Sequence, residues 1–423
     1  MTAQGLNRGG GLIRGGRKFG TSPGIFARLL APGFHKLLDR IDAGLETGSI
    51  LGHLPNGETR LLGGRAAGFD AVVQLNDWRG LIRLATAGSV GWFQAWEAGE
   101  WETPDLVTVF AVFNANAASL GDAGRAKGFW RAGMRFAHWL NRNTHAGSER
   151  NINAHYDLGN DFYGPWLGET MAYSSGLFSD GETRLGAAQT RKIAALAERL
   201  EITPNDRVLE IGCGWGTLAA HLADDFGADV TAISLSDEQL AYARDHRVPG
   251  KGSVQYLKQD YRDVAGRFDS IASCEMVEAL GRAYWPTFMD TIARCLKPGG
   301  RAAIQYISFR DDLFEAYASS ADFIQAYVFP GGLLIRNSEF RALAEARGLA
   351  WSDQTDFGMD YAETLRIWRE NFEQAVDAGQ LPAGFDQKFI RLWRYYLTYC
   401  EGGFRGGGID VHQVTLVKET THA

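Results

Sequence analysis

The stretch Arg207–Gly216, RVLEIGCGWG, constrains the fold of this chain more strongly than any other segment. Val208, Leu209 and Ile211 predict a buried strand. The glycines after it predict a tight loop that leads into a helix at Thr217. In a doubly wound sheet this order leaves backbone N–H groups open at the carboxyl end of a parallel strand, where nucleotide-type ligands bind. The segment therefore predicts an α/β domain with a ligand site at this loop.

The residues around the loop narrow the class of ligand. A glycine loop alone could equally hold the pyrophosphate of NAD or FAD. Glu210, however, precedes the first glycine by two positions, where a carboxylate can hold the amino group of an amino-acid-like ligand. Further strands at 230–234 and 268–273 and an LKPGG turn at 296–300 follow in order. This order resembles a class I S-adenosylmethionine (AdoMet) methyltransferase, and it argues against a dinucleotide dehydrogenase or a purely structural glycine turn.

Length, charge and cysteine usage limit what else the chain can be. It has 423 residues, more than one typical core holds, which predicts two domains. Its net charge of -7 argues against a nucleic-acid partner. The four cysteines lack metal-ligand spacing, so we expect free thiols and no metal site. No apolar run reaches the roughly 20 residues of a membrane-spanning helix, and no signal peptide is recognisable, so a cytoplasmic location is expected.

The part of the chain before the glycine loop divides into three segments. Residues 1–33 form a basic arm with two open interpretations, contact with an anionic bilayer or a disordered tail. Residues 34–119 predict a small α+β domain of three short strands and several helices. Its tryptophans between 92 and 101 are assigned to the core, with a lipid-facing surface or an oligomer contact as the alternative. Residues 120–148 predict a linker and an amphipathic helix that is docked on a neighbouring domain or, alternatively, touches lipid head groups with its Arg and Trp face.

Several further motifs share one family resemblance. They are HYDLGNDFY (155–163), MAYSS (171–175), QDYRD (259–263), FPGG (329–332), FGMDY (357–361) and GGFR (402–405). Together with EIGCGWG they resemble the cyclopropane-fatty-acyl-phospholipid synthase family, which includes the mycolic acid cyclopropane synthases. The resemblance covers about residues 145 to 420. It implies that residues 149–423 form an AdoMet-dependent methyltransferase domain with a lipid-pocket insertion near 308–335. Separately, residues 411–417 predict a last strand, antiparallel at the sheet edge.

The resemblance implies an enzyme that acts on membrane lipid. In the family, the methyl carbon of AdoMet is transferred to a cis double bond of an unsaturated acyl chain in phospholipid, which gives a cyclopropane fatty acid. We therefore expect unsaturated phospholipid as the partner and a peripheral position on the inner face of the membrane. The family also implies a homo-oligomer formed through the N-terminal domain, and it leaves room for an accessory lipid-modifying enzyme, a desaturase or a reductase.

The resemblance assigns AdoMet contacts residue by residue. They run from the methionine end through the glycine loop to the ribose and the adenine: Tyr173, Ser174 and Glu210; Gly212, Gly214 and Gly216; Ser234 and Gln239; Asp260 and Tyr261, whose ring would stack on the adenine. Ser234 stands where many class I methyltransferases have an acidic residue. The family shares this departure, so it does not weaken the resemblance.

The resemblance also predicts which residues bind the group that acts as the base of the reaction. Family members remove a proton with a bound bicarbonate, and Glu278, Tyr361 and the carbonyl of Ile307 match its ligands. Ser175 and Gln305 stand where the family has cysteine and histidine. Both can donate hydrogen bonds to an anion, but neither titrates near neutrality as histidine does. Glu278, at the end of the fourth strand, is the first choice for an essential polar residue.

The two departures from the family pattern leave other activities open. The first alternative is a fatty-acyl methyltransferase that gives a methylene or methyl-branched chain without ring closure. The second is a small-molecule methyltransferase acting on O, N or S, which would not need the HYDLGN and FPGG segments. A non-catalytic lipid- or AdoMet-binding protein would be expected to have lost the cofactor loop, and this loop is intact.

Overall fold

The computed structural model describes residues 8–17, 31–121, 158–179, 181–319 and 322–420. Most of the basic arm, nearly all of the predicted segment 120–148 and the first three residues of HYDLGNDFY lie outside these ranges. The chain divides into two compact units. Unit 1 contains residues 1–141, 312–330 and 383–409, and unit 2 contains residues 142–311, 331–382 and 410–423.

Helices and strands alternate through most of the described residues. The helices are α1 (Gly10–Arg17), α2 (Ala31–Gly44), α3 (Arg79–Glu97), α4 (Leu106–Ala115), α5 (Ala117–Leu120), α6 (Asn160–Leu167), α7 (Leu185–Glu198), α8 (Thr217–Phe226), α9 (Asp237–His246), α10 (Trp285–Cys295), α11 (Phe314–Ala318), α12 (Phe323–Tyr327), α13 (Asn337–Glu345), α14 (Gly358–Asp377) and α15 (Gln387–Arg405). The strands are β1 (Ser49–His53), β2 (Thr59–Gly63), β3 (Asp70–Leu75), β4 (Trp101–Glu102), β5 (Arg207–Ile211), β6 (Asp229–Ser234), β7 (Ser253–Lys258), β8 (Phe268–Cys274), β9 (Leu296–Phe309), β10 (Leu349–Asp356) and β11 (Ile409–Lys418).

Unit 2 is built on a seven-stranded sheet in the order β10-β11-β9-β8-β5-β6-β7. The pairs β5–β6, β5–β8, β6–β7 and β8–β9 are parallel. β5 is the first strand of this sheet in the chain and lies between β6 and β8. The chain therefore builds the sheet first on one side of β5, through β6 and β7, and then on the other side, through β8 and β9. Such a reversal opens a crevice at the carboxyl end of the strand. The α/β sheet predicted from the glycine loop is therefore confirmed.

Buried apolar residues attach the helices to one face of this sheet. Leu196 of α7 and Leu222 of α8 belong to the same core cluster as Val208 of β5 and Val230 of β6. All four side chains are at most 2% exposed. The loop between β5 and α8 is therefore anchored on both sides by packed elements, which fixes its position at the crevice.

The last strand is longer than predicted and does not lie at the sheet edge. β11 pairs antiparallel with β10 and lies between β10 and β9. Its residues 411–416 are all buried, and burial on both faces is typical of an interior strand. β10 forms the edge and carries several exposed residues. The edge prediction was wrong because β10, with the polar sequence SDQTD, gave no strand pattern that could be recognised.

Unit 1 contains a four-stranded mixed sheet in the order β2-β1-β3-β4. β1 pairs antiparallel with β2 and parallel with β3. Trp92 and Trp101 stack with their ring centroids 4.1 Å apart, and Trp101 Nε1 donates to the Trp92 carbonyl at 2.9 Å. Both rings and that of Trp96 are buried. The tryptophans therefore belong to the core, as predicted.

A described part of the basic arm is a docked helix. α1 buries Leu12 and Ile13. A Cβ placed on Gly16 would lie 2.2 Å from the ring of Tyr327 in α12, so the two helices are in close contact. The disordered-tail interpretation is therefore wrong for residues 10–17, whereas contact of the arm with a bilayer remains a prediction. Separately, no helix in the described ranges is long and apolar enough to cross a membrane.

The GGFR segment lies in α15 and packs against α4 of unit 1. A Cβ on Gly402 would lie 2.4 Å from Phe110 Cβ, and one on Gly406 would lie 2.6 Å from the Ala111 carbonyl oxygen. These glycines allow the two helix backbones to approach closely. Residues 383–409 therefore group with unit 1, and so do residues 312–330 from the predicted lipid-pocket insertion. The predicted continuous domain 149–423 is interrupted at both places.

We expect Gly402→Ala to destabilise the protein. The added methyl group would meet Phe110 Cβ at 2.4 Å, so one helix must shift, which costs about 1–3 kcal/mol. Gly186→Ala is the matched control, because Gly186 also lies in a helix but has nothing within 4 Å of its Cβ position. The control should change stability by less than about 1 kcal/mol, in the stabilising direction. Equal denaturant midpoints by circular dichroism would contradict the close helix contact.

Candidate active site

The glycine loop after β5 needs its glycines for different reasons. Gly212, Gly214 and Gly216 have φ values of 84°, 52° and 87°, a region that favours glycine. A Cβ on Gly216 would lie 2.8 Å from Ala243 Cβ and from the Tyr256 hydroxyl, so packing also excludes a side chain there. A Cβ on Gly214 would meet nothing within 4 Å. Of these three glycines, Gly214 is therefore the one beside which a ligand has room.

Glu210 lies at the end of β5 as a buried acid. Its side chain is 2% exposed, and Oε2 is buried without a hydrogen-bond partner among the described residues. Burial raises the pKa of Glu210 from an ordinary 4.5 to about 8, although the positive charge of Lys192 opposes the rise. A buried oxygen without a partner is costly. It suits a site where a ligand supplies the donor, as expected for the amino group of AdoMet.

Lys192 is a functional candidate that the sequence analysis missed. Its side chain is 3% exposed, and Nζ donates to Ser174 Oγ at 2.7 Å and lies 3.8 Å from Cys274 Sγ. Gln189 Nε2 donates to the Ser174 carbonyl at 2.7 Å. The available signal was the position of Gln189 and Lys192 three residues apart on α7, on the face that otherwise carries buried apolar residues.

The predicted ribose and adenine residues fall into two local groups. Ser234 Oγ donates to Gln239 Oε1 at 3.1 Å, so these two residues lie together after β6. Asp260 accepts from Arg262 Nε at 2.8 Å and Nη2 at 2.5 Å, which occupies its carboxylate. Tyr261 is buried, and its hydroxyl lacks a hydrogen-bond partner among the described residues. The AdoMet contacts of these residues remain predictions.

Tyr173 lies in an aromatic cluster. Its ring centroid is 5.6 Å from that of Tyr163, 5.8 Å from Trp166 and 5.4 Å from Trp368. These contacts fix the ring and place the neighbouring Ser174 beside Lys192. The assignment of Tyr173 to the methionine end of AdoMet remains a prediction.

Glu275 lies at the centre of the residues that were predicted to bind the base of the reaction. Its Oε1 accepts from the Ser175 backbone N–H at 3.0 Å and from Gln305 Nε2 at 2.7 Å. Its Oε2 accepts from the Tyr361 hydroxyl at 2.6 Å. The structure thus brings together three of the predicted bicarbonate ligands, but they surround a carboxylate of the protein. Ser175 contributes its backbone N–H, because its hydroxyl donates to the Gly176 carbonyl at 2.8 Å.

The backbone of Glu275 is held in a rare conformation. Its φ is +50°, which is unfavourable for a residue with a side chain. Its N–H donates to the Gln305 carbonyl at 2.8 Å, directly after the last pair of the β8–β9 ladder. Strain of this kind persists only where the surroundings over-determine it, and it clusters at functional sites. The sequence CEMVEALG contains two glutamates, and only the fold shows that Glu275 is the one in contact with Ser175, Gln305 and Tyr361.

Burial and hydrogen bonds act on Glu275 in opposite directions. Burial raises the pKa of its carboxyl above the ordinary value, whereas the hydrogen bonds from Tyr361, Ser175 and Gln305 lower it. The side-chain amide of Gln305 is held in one orientation, because its Oε1 accepts a hydrogen bond from Gln413 Nε2 at 3.0 Å. That bond directs the amide nitrogen of Gln305 towards Glu275, so Gln305 can act there only as a donor.

Glu278 lies beside Glu275 but has fewer donors. Its Oε1 accepts from the Ile307 backbone N–H, and its Oε2 is buried without a partner among the described residues. Burial and the nearby charge of Glu275 raise the pKa of Glu278 to about 8. Ile307 thus contributes its N–H to a carboxylate, where the resemblance assigned its carbonyl to bicarbonate. The roles of Glu278 and Ile307 in the reaction remain predictions.

One group of side chains elsewhere in unit 2 has potential metal ligands. Asp356, Asp410 and His412 place one ligand atom each within 4.8 Å of the others. His412, however, is already engaged on both ring nitrogens, with Asp356 Oδ1 at 2.6 Å and Ser308 Oγ at 2.6 Å. The group is therefore a satisfied hydrogen-bond network as it stands.

Comparison with known proteins gives the family. A family model described as mycolic acid cyclopropane synthetase matches residues 143–414. The tuberculostearic acid methyltransferase UfaA1 of Mycobacterium tuberculosis is 37% identical over 359 residues, covering 80% of this chain and 81% of that protein. The cyclopropane-fatty-acyl-phospholipid synthase of Escherichia coli K12 is 35% identical over 263 residues, covering 62% and 66%.

A solved structure shows the same fold. The mycolic acid cyclopropane synthase CmaA1, crystallised with SAH and CTAB, superposes with a TM-score of 0.60 at 26% identity, covering 64% of this chain and 98% of that chain. The predicted class I methyltransferase fold is thereby confirmed. The family model spans well over half of the sequence, and the chain belongs to the mycolic acid cyclopropane synthetase family of AdoMet-dependent lipid methyltransferases.

Proposed function

We propose that this chain transfers the methyl carbon of AdoMet to a cis double bond of an unsaturated fatty acyl chain in membrane phospholipid, with Glu275 as the base. One observation carries the proposal: Ser175, Gln305 and Tyr361 all donate hydrogen bonds to Glu275. The resemblance places a bicarbonate among these same residues. A carboxylate and a bicarbonate are both oxygen anions, so Glu275 supplies the chemical group that the family otherwise recruits.

The residues at the carboxyl end of β5 fit AdoMet. Glu210 has a buried oxygen that lacks a donor, which suits the amino group of the methionine end. Gly214 leaves room for close approach to the backbone. AdoMet supplies an electrophilic methyl group when it is bound. An alkene is a weak nucleophile, so the protein must contribute alignment and exclusion of water.

The environments of Glu275 and Glu278 separate their protonation states. Two buried carboxylates in close proximity do not both ionise easily. Glu275 faces three donors, whereas Glu278 accepts one and has a pKa of about 8. We therefore assign the negative charge at neutral pH to Glu275 and the proton to Glu278. Groups whose pKa values are pushed apart in this way commonly divide acid and base roles.

Loss of a proton from the added methyl carbon to Glu275 completes the reaction. If a hydride first moves between the two former alkene carbons, proton loss leaves a methylene branch (C=CH2) on the open chain. If it does not, the methyl carbon bonds to the second alkene carbon and closes a cyclopropane. We propose the methylene or methyl-branched product, because the base site departs from the family pattern and UfaA1 is a tuberculostearic acid methyltransferase. A saturated branch would then require a separate reductase.

Cyclopropane formation is the second candidate. The synthase of Escherichia coli is 35% identical to this chain, and the chain keeps Glu278 and Tyr361, which match the family's base site. Both products are made from the same substrate at the membrane surface, so a peripheral membrane location is part of either proposal.

Product analysis tests the proposal. The purified protein is incubated with AdoMet and vesicles of cis-unsaturated phospholipid, and the released fatty acids are examined by proton NMR. We expect resonances of a methylene branch (C=CH2) and loss of the original olefin signal. High-field ring protons would establish the cyclopropane instead. Vesicles of saturated phospholipid are the control, and an unchanged unsaturated lipid would refute both products and favour a small-molecule acceptor.

A further inference from the structure

Lys192 is a buried cation without an acidic contact. Its ammonium group has three donors, and its partners are the Ser174 hydroxyl at 2.7 Å and the Cys274 thiol at 3.8 Å. Within the described ranges, no carboxylate lies within ion-pair distance of its Nζ. A buried charge is costly unless it is paired or well hydrogen-bonded. A neutral hydroxyl and a weakly accepting thiol leave this ammonium group short of acceptors.

Glu210, by contrast, lacks a hydrogen-bond donor, because its Oε2 is buried and none of the described residues donates to it. The positive charge of Lys192 lowers the pKa of the Glu210 carboxyl, but the two side chains are not within ion-pair distance of each other. One group therefore needs an acceptor and the other needs a donor. A ligand that carries an ammonium and a carboxylate on one carbon atom satisfies both.

Lys192 is held firmly in this position. α7 is anchored in the core by Leu196 and Ile193, which are at most 5% exposed. The same helix carries Gln189, whose amide fixes the Ser174 carbonyl at 2.7 Å. Lys192 and Ser174 are therefore positioned together, and movement of the ammonium group away from the site would break the contact between them.

We propose that Lys192 binds the α-carboxylate of AdoMet while Glu210 binds its amino group. The two residues would together recognise the amino-acid end of the methyl donor. The proposal rests on the use of AdoMet and adds a residue to which the family resemblance assigned no role. It is independent of the lipid product, because it concerns the donor alone.

Ligand binding tests the proposal without measuring activity. Affinities for AdoMet and for decarboxylated AdoMet, which keeps the sulfonium and the amine but lacks the carboxylate, are measured by isothermal titration calorimetry. The unmodified protein should bind AdoMet about 10- to 100-fold more tightly, as expected for a charge-assisted hydrogen bond. Lys192→Met should lose most of this preference, since its affinity for AdoMet falls while that for the decarboxylated compound does not.

Lys251→Met is the matched control. Lys251 is an exposed lysine whose Nζ donates to the Asp225 carbonyl at 3.4 Å, and its replacement should leave both affinities unchanged. Equal weakening of both ligands in Lys192→Met would overturn the proposal, because it would show a structural role. Equal affinity of the unmodified protein for the two ligands would overturn it even if the variant did not fold. Failure of the unmodified protein to bind either ligand would refute AdoMet use as well.

Discussion

Glu275→Gln should reduce lipid methylation by about 10²- to 10⁴-fold, the usual contribution of a general base. The amide keeps the size of the side chain, and its oxygen can still accept from Gln305 and the Ser175 N–H while its NH2 group faces the Tyr361 hydroxyl, but it cannot take up a proton. The rate of product formation is measured with AdoMet and unsaturated phospholipid vesicles. AdoMet binding should be retained, which separates loss of the base from loss of the fold. Activity within about threefold of the unmodified protein would exclude Glu275 as the base.

Glu275→Gly provides a sharper test, because it allows chemical rescue. Glycine readily adopts the φ of +50° found at this position, so the substitution removes the carboxylate and relieves the backbone. The donors of Ser175, Gln305 and Tyr361 would then face a space vacated by an anion. Added bicarbonate or formate should restore part of the activity, whereas chloride at the same ionic strength should not. The unmodified protein should not respond to bicarbonate, and a response there would favour a bound bicarbonate as the native base.

The sequence predicts the core of unit 2 well because its pattern is local. The apolar run of β5, the glycine loop and the start of α8 follow one another directly, so period and turn chemistry are sufficient. The same reasoning failed at β10. That strand is polar and largely exposed. Its place at the sheet edge depends on pairing with β11, about 60 residues later in the chain, and such a long-range pairing cannot be predicted from the local sequence.

The candidate base site shows a second limit of sequence reasoning. Motif matching placed Ser175, Gln305 and Tyr361 in one site, and the structure brings them together. The sequence analysis selected Glu278 as the first choice for an essential polar residue, because it matches a family ligand and lies at the end of the fourth strand. Motif matching assigned no role to Glu275, and its proposed role depends on hydrogen bonds from residues 30 to 100 positions away in sequence. The departures from the family at Ser175 and Gln305 were the available sign that this site is arranged differently.

Glu278, whose Oε2 is buried although part of the residue is exposed, should make stability depend on pH. Its pKa rises from 4.5 in the unfolded chain to about 8 in the folded protein, so the folded state holds a proton that the unfolded state releases. Stability therefore falls as pH increases from about 4.5 to about 8. Glu278→Gln removes this proton equilibrium and keeps an acceptor for the Ile307 N–H. The variant should match the unmodified protein near pH 5 and exceed it near pH 9.

The expected gain at pH 9 is on the order of 2 kcal/mol, less than the full pKa shift would give, because the side chain is partly exposed and screened by solvent. Denaturant midpoints at the two pH values measure it. Glu345→Gln is the control, since Glu345 is an exposed carboxylate 2.8 Å from Arg341 and its replacement should leave the pH dependence unchanged.

Activity of the same variant then distinguishes the two glutamates. If Glu275 carries the charge and Glu278 the proton at neutral pH, Glu278→Gln mimics the protonated side chain and should retain more activity than Glu275→Gln. Stabilisation near pH 9 together with substantial activity would support this division. Loss of activity equal to that of Glu275→Gln, without any gain in stability at high pH, would instead show that Glu278 is ionised in the folded protein and acts as the family pattern suggests.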